Sequence, residues 1–198
     1  NVVISDRCYL KDVAEMFFKL NDVEKLMEEF SFTKNSIVLL EIMAKSNRYQ
    51  DILVSDYVSE LDYKITKQFA AITFRLPDGS IFISYRGTDD TILGWKEDFM
   101  MSYKTLIPSQ IRAKEYLEMI VKKNYKYSFN FLYKNRNKQT NIFKIFKEYL
   151  YQRFHGVKIR IGGHSKGGNL AVYAASNSEK KLTDRIICVY NHDGPGFD

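Results

Sequence analysis

Glycine is missing from the first 78 residues of this chain. Turns in that stretch therefore lean on Asn, Ser and Asp, not on the residue that reaches left-handed backbone without steric cost. Cysteine is nearly as scarce: Cys8 and Cys188 stand far apart. Two distant cysteines exclude a disulfide framework and read as free thiols in a reducing compartment. No apolar run approaches the roughly 18 residues that a membrane span requires, and no charged-then-apolar leader opens the chain. The expected location is cytoplasmic. The chain opens on Asn1 and not on Met, which reads as a piece of a longer or processed protein. Acidic residues are missing from one segment in particular. From Lys122 to Arg153 nine Lys and Arg face a single acid, Glu148, which is +8, so the remainder of a chain of net charge +6 carries −2.

What is present is enough for one core. The 198 residues are 45% hydrophobic and 15% aromatic, which excludes a disordered chain, and nothing forces a second domain. The reading is one domain over 1–198 with a helical N-terminal part at 1–47 and a basic, aromatic insert at 122–153. Val13, Met16, Phe17, Leu20, Val23, Met27 and Phe30 recur at helical spacing, and Asn21 with Glu24 reads as a capping box that restarts the helix. Ile37 to Met43 suggests another helix. Strand signals begin near Ile52 and are clear over 69–75 and 81–85, joined by Pro77-Asp78-Gly79-Ser80 as a hairpin turn. Residues 110–123 and 142–154 have helical periodicity, and 125–133 alternate strictly with aromatics on one face. Arg185 to Tyr190 is nearly all apolar, the pattern of a strand buried on both faces. The strand before it, Val157 to Gly162, is interrupted by Lys158 and Arg160, so one of its faces is open or lined by polar partners.

Gly163-His164-Ser165-Lys166-Gly167 follows that interrupted strand and opens a small-residue helix. A bare G-x-S-x-G arises by chance in about one chain of this length in fifteen at usual residue frequencies of about 7%. The strand before it and the helix after it are what make it a nucleophile elbow. Such a turn exposes the serine oxygen and aims the next amide, that of Lys166, at a developing oxyanion.

Three further segments accompany the elbow: Gln68-Phe69-Ala70-Ala71, Gly94-Trp95-Lys96-Glu97-Asp98-Phe99 and Asp193-Gly194-Pro195-Gly196-Phe197. With strand–Arg86-Gly87-Thr88 ahead of Trp95-x-x-Asp98, the chain resembles the class-three, fungal-type lipases of the α/β-hydrolase superfamily, and most of all a bacterial lipase-like branch. The resemblance covers roughly 48–124 and 155–198. It implies an α/β fold with a hydrolase-type sheet and flanking helices, and an acyl-ester or lipid substrate. It implies Ser165 as nucleophile, Thr88 and Lys166 as oxyanion amides, and Asp98 as the residue that holds the Thr88 loop. Trp95 reads as a packing anchor. No cofactor or metal is expected.

A serine needs a base and the base needs an orienter. Of the three histidines, His164 adjoins the nucleophile and points away from it, and His155 precedes the elbow strand at the opposite edge. His192 and Asp193 follow the next strand at the edge where active sites collect. They are either base and acid or part of a structural loop in which Gly194, Pro195 and Gly196 shape the rim. The hydrolase order is nucleophile, acid, histidine, and only 198 − 165 = 33 residues follow Ser165. The acid and base are therefore expected beyond Asp198. Two classes stay open, an ester hydrolase and a non-catalytic lipase-like module that binds lipid or protein. The insert at 122–153 either packs its aromatics on the core with solvated lysines or docks on an anionic membrane. It carries no recognised nucleic-acid module, and nucleic acid is not an expected partner.

Overall fold

The computed structural model describes residues 8–28, 34–123, 132 and 141–197. The chain forms two compact units, Asn1–Tyr57 and Val58–Asp198. The division falls ten residues beyond the end of the helical part expected at 1–47.

The first unit holds β1 (Cys8–Tyr9), α1 (Leu10–Leu20), α2 (Val23–Glu28), α3 (Lys34–Lys45) and the start of β2 (Leu53–Asp62). β1 pairs antiparallel with β2 through Cys8↔Val54 and Tyr9↔Leu53. The break between α1 and α2 falls at the expected place, but the cap is one residue later than the sequence suggested. Asn21 closes α1, its amide and Nδ2 both donating to the Phe17 carbonyl at 3.1 and 2.8 Å. With that side chain occupied, Asp22 starts α2, and its Oδ1 accepts from the Lys25 amide at 3.1 Å.

The second unit carries the rest of β2, then β3 (Lys67–Arg75), β4 (Ile81–Tyr85), α4 (Ile92–Met100), α5 (Pro108–Lys122), α6 (Ile142–His155), β5 (Ile159–His164), α7 (Lys166–Ser176), α8 (Lys180–Thr183) and β6 (Ile186–His192). Its strands run in the order β2-β3-β4-β5-β6. β3 and β4 are antiparallel, and β4, β5 and β6 are parallel. The architecture is α/β with a mixed sheet. α5 and α7 cover one face, burying Tyr116, Leu117, Leu170 and Ala171 against Phe69, Ile83 and Ile161. Within this core Tyr85 donates its hydroxyl to the Ala113 carbonyl (2.9 Å) and Tyr116 shares a 2.9 Å bond with Thr73 Oγ1. No described helix is long and apolar enough to cross a membrane. The expected alternating strand at 125–133 lies outside the described residues except at Leu132, as do Lys126, Lys134, Arg136 and Lys138 of the insert.

The polar residues in and just before β5 have partners. Arg160 reaches Asp78 at 3.0 Å and donates to Ser80 Oγ, both in the hairpin turn, and Lys158 lies 3.3 Å from Glu148 on α6. The strand at the end of the sheet departs from expectation. β6 is not buried on both faces: Ile187 is 47% and Val189 37% exposed. It is the last strand in the order, so β5 is its one strand neighbour among the described residues.

The β3–β4 turn fixes its own glycine. Gly79 sits at φ 82°, its carbonyl accepts from Gln152 Nε2 at 3.0 Å, and a Cβ there would lie 2.6 Å from that nitrogen and 2.7 Å from Leu132 Cδ2. Gly79→Ala should lower unfolding stability by about 1–3 kcal/mol, from positive φ and overpacking together. Urea titration checks this, and an unchanged midpoint would refute the crowding at this turn.

Candidate active site

β5 ends at His164 and α7 begins at Lys166, so Ser165 alone turns the chain from strand to helix. It does so at φ 53°, ψ −130°, a conformation that costs a non-glycine residue about 1–3 kcal/mol and persists only where the surroundings hold it. Three hydrogen bonds hold it here. The Ser165 amide donates to the His192 carbonyl on β6 (2.8 Å), and its own carbonyl accepts from the amides of Gly168 (2.8 Å) and Asn169 (3.3 Å). The flanking glycines are required by close approach to β4. A Cβ on Gly163 would stand 2.5 Å from the Tyr85 carbonyl oxygen, and one on Gly167 would run into the same oxygen. At the head of α7 the amides of Lys166 and Gly167 have no intrahelical acceptor, as in the first turn of any helix.

A second loop lies against the elbow. After β4 the chain runs Arg86-Gly87-Thr88, and a Cβ on Gly87 would be 2.7 Å from the His164 carbonyl oxygen and 3.6 Å from Ser165 Cβ. Arg86 and Asp89 close this loop with a 3.0 Å ion pair, Asp89 accepts from the Thr91 amide (3.1 Å), and Thr91 caps α4 at the Gly94 amide (3.0 Å). In this loop Thr88 Oγ1 is buried and has no hydrogen-bond partner among the described residues. Leaving such a group unsatisfied costs about 1–3 kcal/mol, so its presence beside the serine asks for an acceptor.

The Lys166 side chain runs into the interior and is fully buried. Its Nζ donates to the Gln68 carbonyl (2.9 Å), Gln68 Oε1 (2.6 Å) and Glu97 Oε2 (3.0 Å). Glu97 is fully buried too, and its carboxylate also accepts from the Gln68 amide (2.8 Å), the Ser109 amide (2.9 Å) and Ser109 Oγ (2.8 Å). Burial lowers the Lys166 pKa below that of a free lysine, and the neighbouring Glu97, with lesser support from Asp98 and Asp89, offsets part of the effect. This pair joins β3, α4 and α5 to the elbow.

The sequence motif points to Lys166 for its amide alone and assigns Glu97 no role. The available signal was spacing: Leu93, Glu97 and Met100 share the buried side of α4, so a carboxylate stands where a helix turned to a core carries apolar residues. Asp98 is one residue further round, half-buried, while Arg86 and Thr91 at the two ends of the Thr88 loop both donate to Asp89. Trp95, expected as a packing anchor, is 47% exposed because the core side of α4 is already taken.

The remaining candidates form the rim. His192 is exposed, its ring stacked with Tyr190 at 6.3 Å, and Asp193 is exposed at φ 50°. The 194–197 loop is tied down by Asn169, whose Nδ2 donates to the carbonyls of Pro195 (3.0 Å) and Gly196 (3.3 Å) while its Oδ1 accepts from Gln110 (2.8 Å). His164 is exposed. His155 stacks on Tyr151 at 4.7 Å in α6, ahead of β5 and so at the sheet end opposite Ser165. Among the described residues no hydrogen bond joins Ser165 Oγ to an imidazole, and no His, Cys, Asp and Glu cluster could hold a metal ion. A cavity of about 390 Å³ lined by His155, Glu179 and Arg185 lies at that opposite end, away from the serine.

Residues 43–198 match the Mbeg1-like family, and the chain belongs to this lipase-like family. Among solved structures it is similar to a fungal lipase bound to an inhibitor, described as a model for interfacial activation in lipases. The identity is 15% and the TM-score 0.40, over 71% of this chain and 47% of the lipase chain. The chain thus spans about half the length of that lipase. No curated protein matches it.

Proposed function

We propose that the protein is a serine ester hydrolase of the class-three lipase type, with an α/β-hydrolase sheet, acting on acyl esters. Ser165 Oγ attacks the acyl carbonyl and loses its proton to a base. The alcohol then leaves with a proton, and water releases the acid from the acyl-enzyme. The Lys166 amide and the Thr88 amide and hydroxyl stabilise the oxyanion from two sides, and one such donor is worth about 3–4 kcal/mol of barrier. Among the described residues His192 and Asp193 are the candidates for base and acid, at the sheet end where Ser165 stands. Asp89 ties the Thr88 loop through Arg86 and Thr91, and Asp98 on α4 would add to that orientation. Exposed Ile92, Trp95 and Phe99, which directly follow that loop, suit an acyl chain.

The observation that supports this reading most is Ser165 held at φ 53° between strand and helix, a strain that an ordinary turn would relieve with glycine. A fluorophosphonate probe tests it, because the probe reacts only with an activated serine. Labelling of the full-length protein should map to the peptide containing Ser165 and vanish in Ser165→Ala. A folded protein that takes no label would overturn the enzyme reading in favour of a lipase-like binding module.

A further inference from the structure

One side of α6 faces the core and the other is apolar where solvent should favour polarity. At about 100° per residue, the buried Ile145 and Gln152 mark the inward side. Phe143, Leu150 and Phe154 fall within roughly 40° of one another on the opposite side. Phe143 is 78% and Phe154 80% exposed. Phe146, at 50%, borders the same stripe. The edges of the stripe are cationic: Lys147 and Lys144 on one flank, Arg153 on the other. Arg153 lies over the Tyr149 ring at 5.6 Å. The one acid of the helix, Glu148, is turned to the sheet side and engaged by Lys158 at 3.3 Å. The exposed side therefore has aromatic residues and positive charge but no carboxylate.

We propose that α6 is a membrane-surface helix that seats the protein on anionic lipid. Phe143, Leu150 and Phe154 enter the boundary between headgroups and acyl chains, and Lys144, Lys147 and Arg153 lie at the level of the phosphates. At 14 residues the helix is too short to span a bilayer, and it lies flat. The charge pattern selects lipid over a protein partner of mixed charge, since every flanking charge has one sign. A contiguous Phe and Leu stripe also differs from the alternation of aromatics and cations that stacks nucleic-acid bases. The proposal does not depend on catalysis, because α6 precedes β5 whereas Ser165 follows it, at the other end of that strand.

The test is flotation of the full chain with vesicles of phosphatidylcholine alone or mixed with phosphatidylserine. Binding should require phosphatidylserine and weaken with salt. Phe143→Ser/Phe154→Ser should lose at least about tenfold in partitioning, since each buried ring contributes well over the 1.4 kcal/mol of one decade. Lys144→Glu/Lys147→Glu should lose about fivefold or more per site. All four positions are exposed, so circular dichroism and melting should stay near wild type, which separates lost binding from lost fold. Ser165→Ala should float like wild type, so a failed hydrolase reading leaves this result intact. The proposal is overturned by absent binding, by binding that ignores the variants, by equal binding to phosphatidylcholine alone, by tighter capture of single-stranded RNA through the same residues, or by self-association that the Phe variants abolish.

Discussion

Glu97→Leu with Lys166 left in place should cost about 3–5 kcal/mol of stability, the usual result of removing one partner from a buried ion pair. The cost comes from what remains. Lys166 Nζ would keep two acceptors on Gln68 and lose the Glu97 carboxylate, in a site with no solvent exposure. Ser109 would lose the carboxylate that accepts from both its amide and its hydroxyl. Glu97→Leu combined with Lys166→Met should recover most of the loss, because an apolar pair of similar volume carries no desolvation penalty. Denaturant unfolding of the four-member cycle measures this, and a single variant within about 1 kcal/mol of wild type would refute the pair as described. Burial already lowers the Lys166 pKa, and losing Glu97 lowers it further. A folded pKa below the unfolded value of about 10.4 means the unfolded chain binds more protons in that window, so stability there rises with pH. The Glu97→Leu deficit should therefore be largest below the folded pKa of Lys166 and shrink as the pH climbs towards about 10. Reactivity at Ser165 should fall in the single variant and return in the double one, since the pair anchors the segment bearing the Lys166 amide.

Gly167→Ala should remove Ser165 reactivity while leaving a folded, destabilised protein. The added methyl would meet the Tyr85 carbonyl and come within 3.0 Å of the carbonyl carbons of Tyr85 and Arg86. These are backbone atoms of the neighbouring strand and of the Thr88 loop, so no side-chain rotation makes room. Overpacking of this kind costs about 1–3 kcal/mol. The displacement falls on the proposed nucleophile and on both proposed oxyanion donors, and a shift near 1 Å is enough for a loss of about a hundredfold. Gly196→Ala is the internal control, because no atom of the described residues lies within 4 Å of a Cβ there. Fluorophosphonate labelling rates of the two variants separate the cases. Equal rates would show that the elbow tolerates a side chain and that its glycines serve some other end.

The parts of this molecule legible in its sequence are those that short-range chemistry dictates. The β3–β4 hairpin follows from alternating apolar runs around Pro77-Asp78-Gly79-Ser80, and α5 and α6 follow from three- and four-residue spacing. The elbow follows from a serine between glycines that join a strand to a helix, because only that composition lets two strand ends and a helix meet so closely. The cap at Asp22, read one residue early, shows the limit of such reasoning: Asn21 and Asp22 both suit a cap, and the Phe17 carbonyl decided between them.

Partners distant in sequence were not legible. Glu97 and Lys166 are 69 residues apart, and although the spacing of Leu93, Glu97 and Met100 marks Glu97 as core-facing, nothing in it points to Lys166 as its partner. Their union depends on α4 packing on β3 while Lys166, at the head of α7, reaches Gln68 of the same strand, which no local pattern specifies. The same holds for β6, whose apolar run reads as interior until the strand order puts it at the end of the sheet. It holds also for the far side of α6, where apolar spacing reads as core although only one side of the helix meets the sheet. The sequence alone determined which segments become strand, helix and elbow, because backbone preference and hydrophobic period act over a few residues. The tertiary structure decided which charges are buried together and which apolar faces reach the surface, because burial depends on the whole packing arrangement.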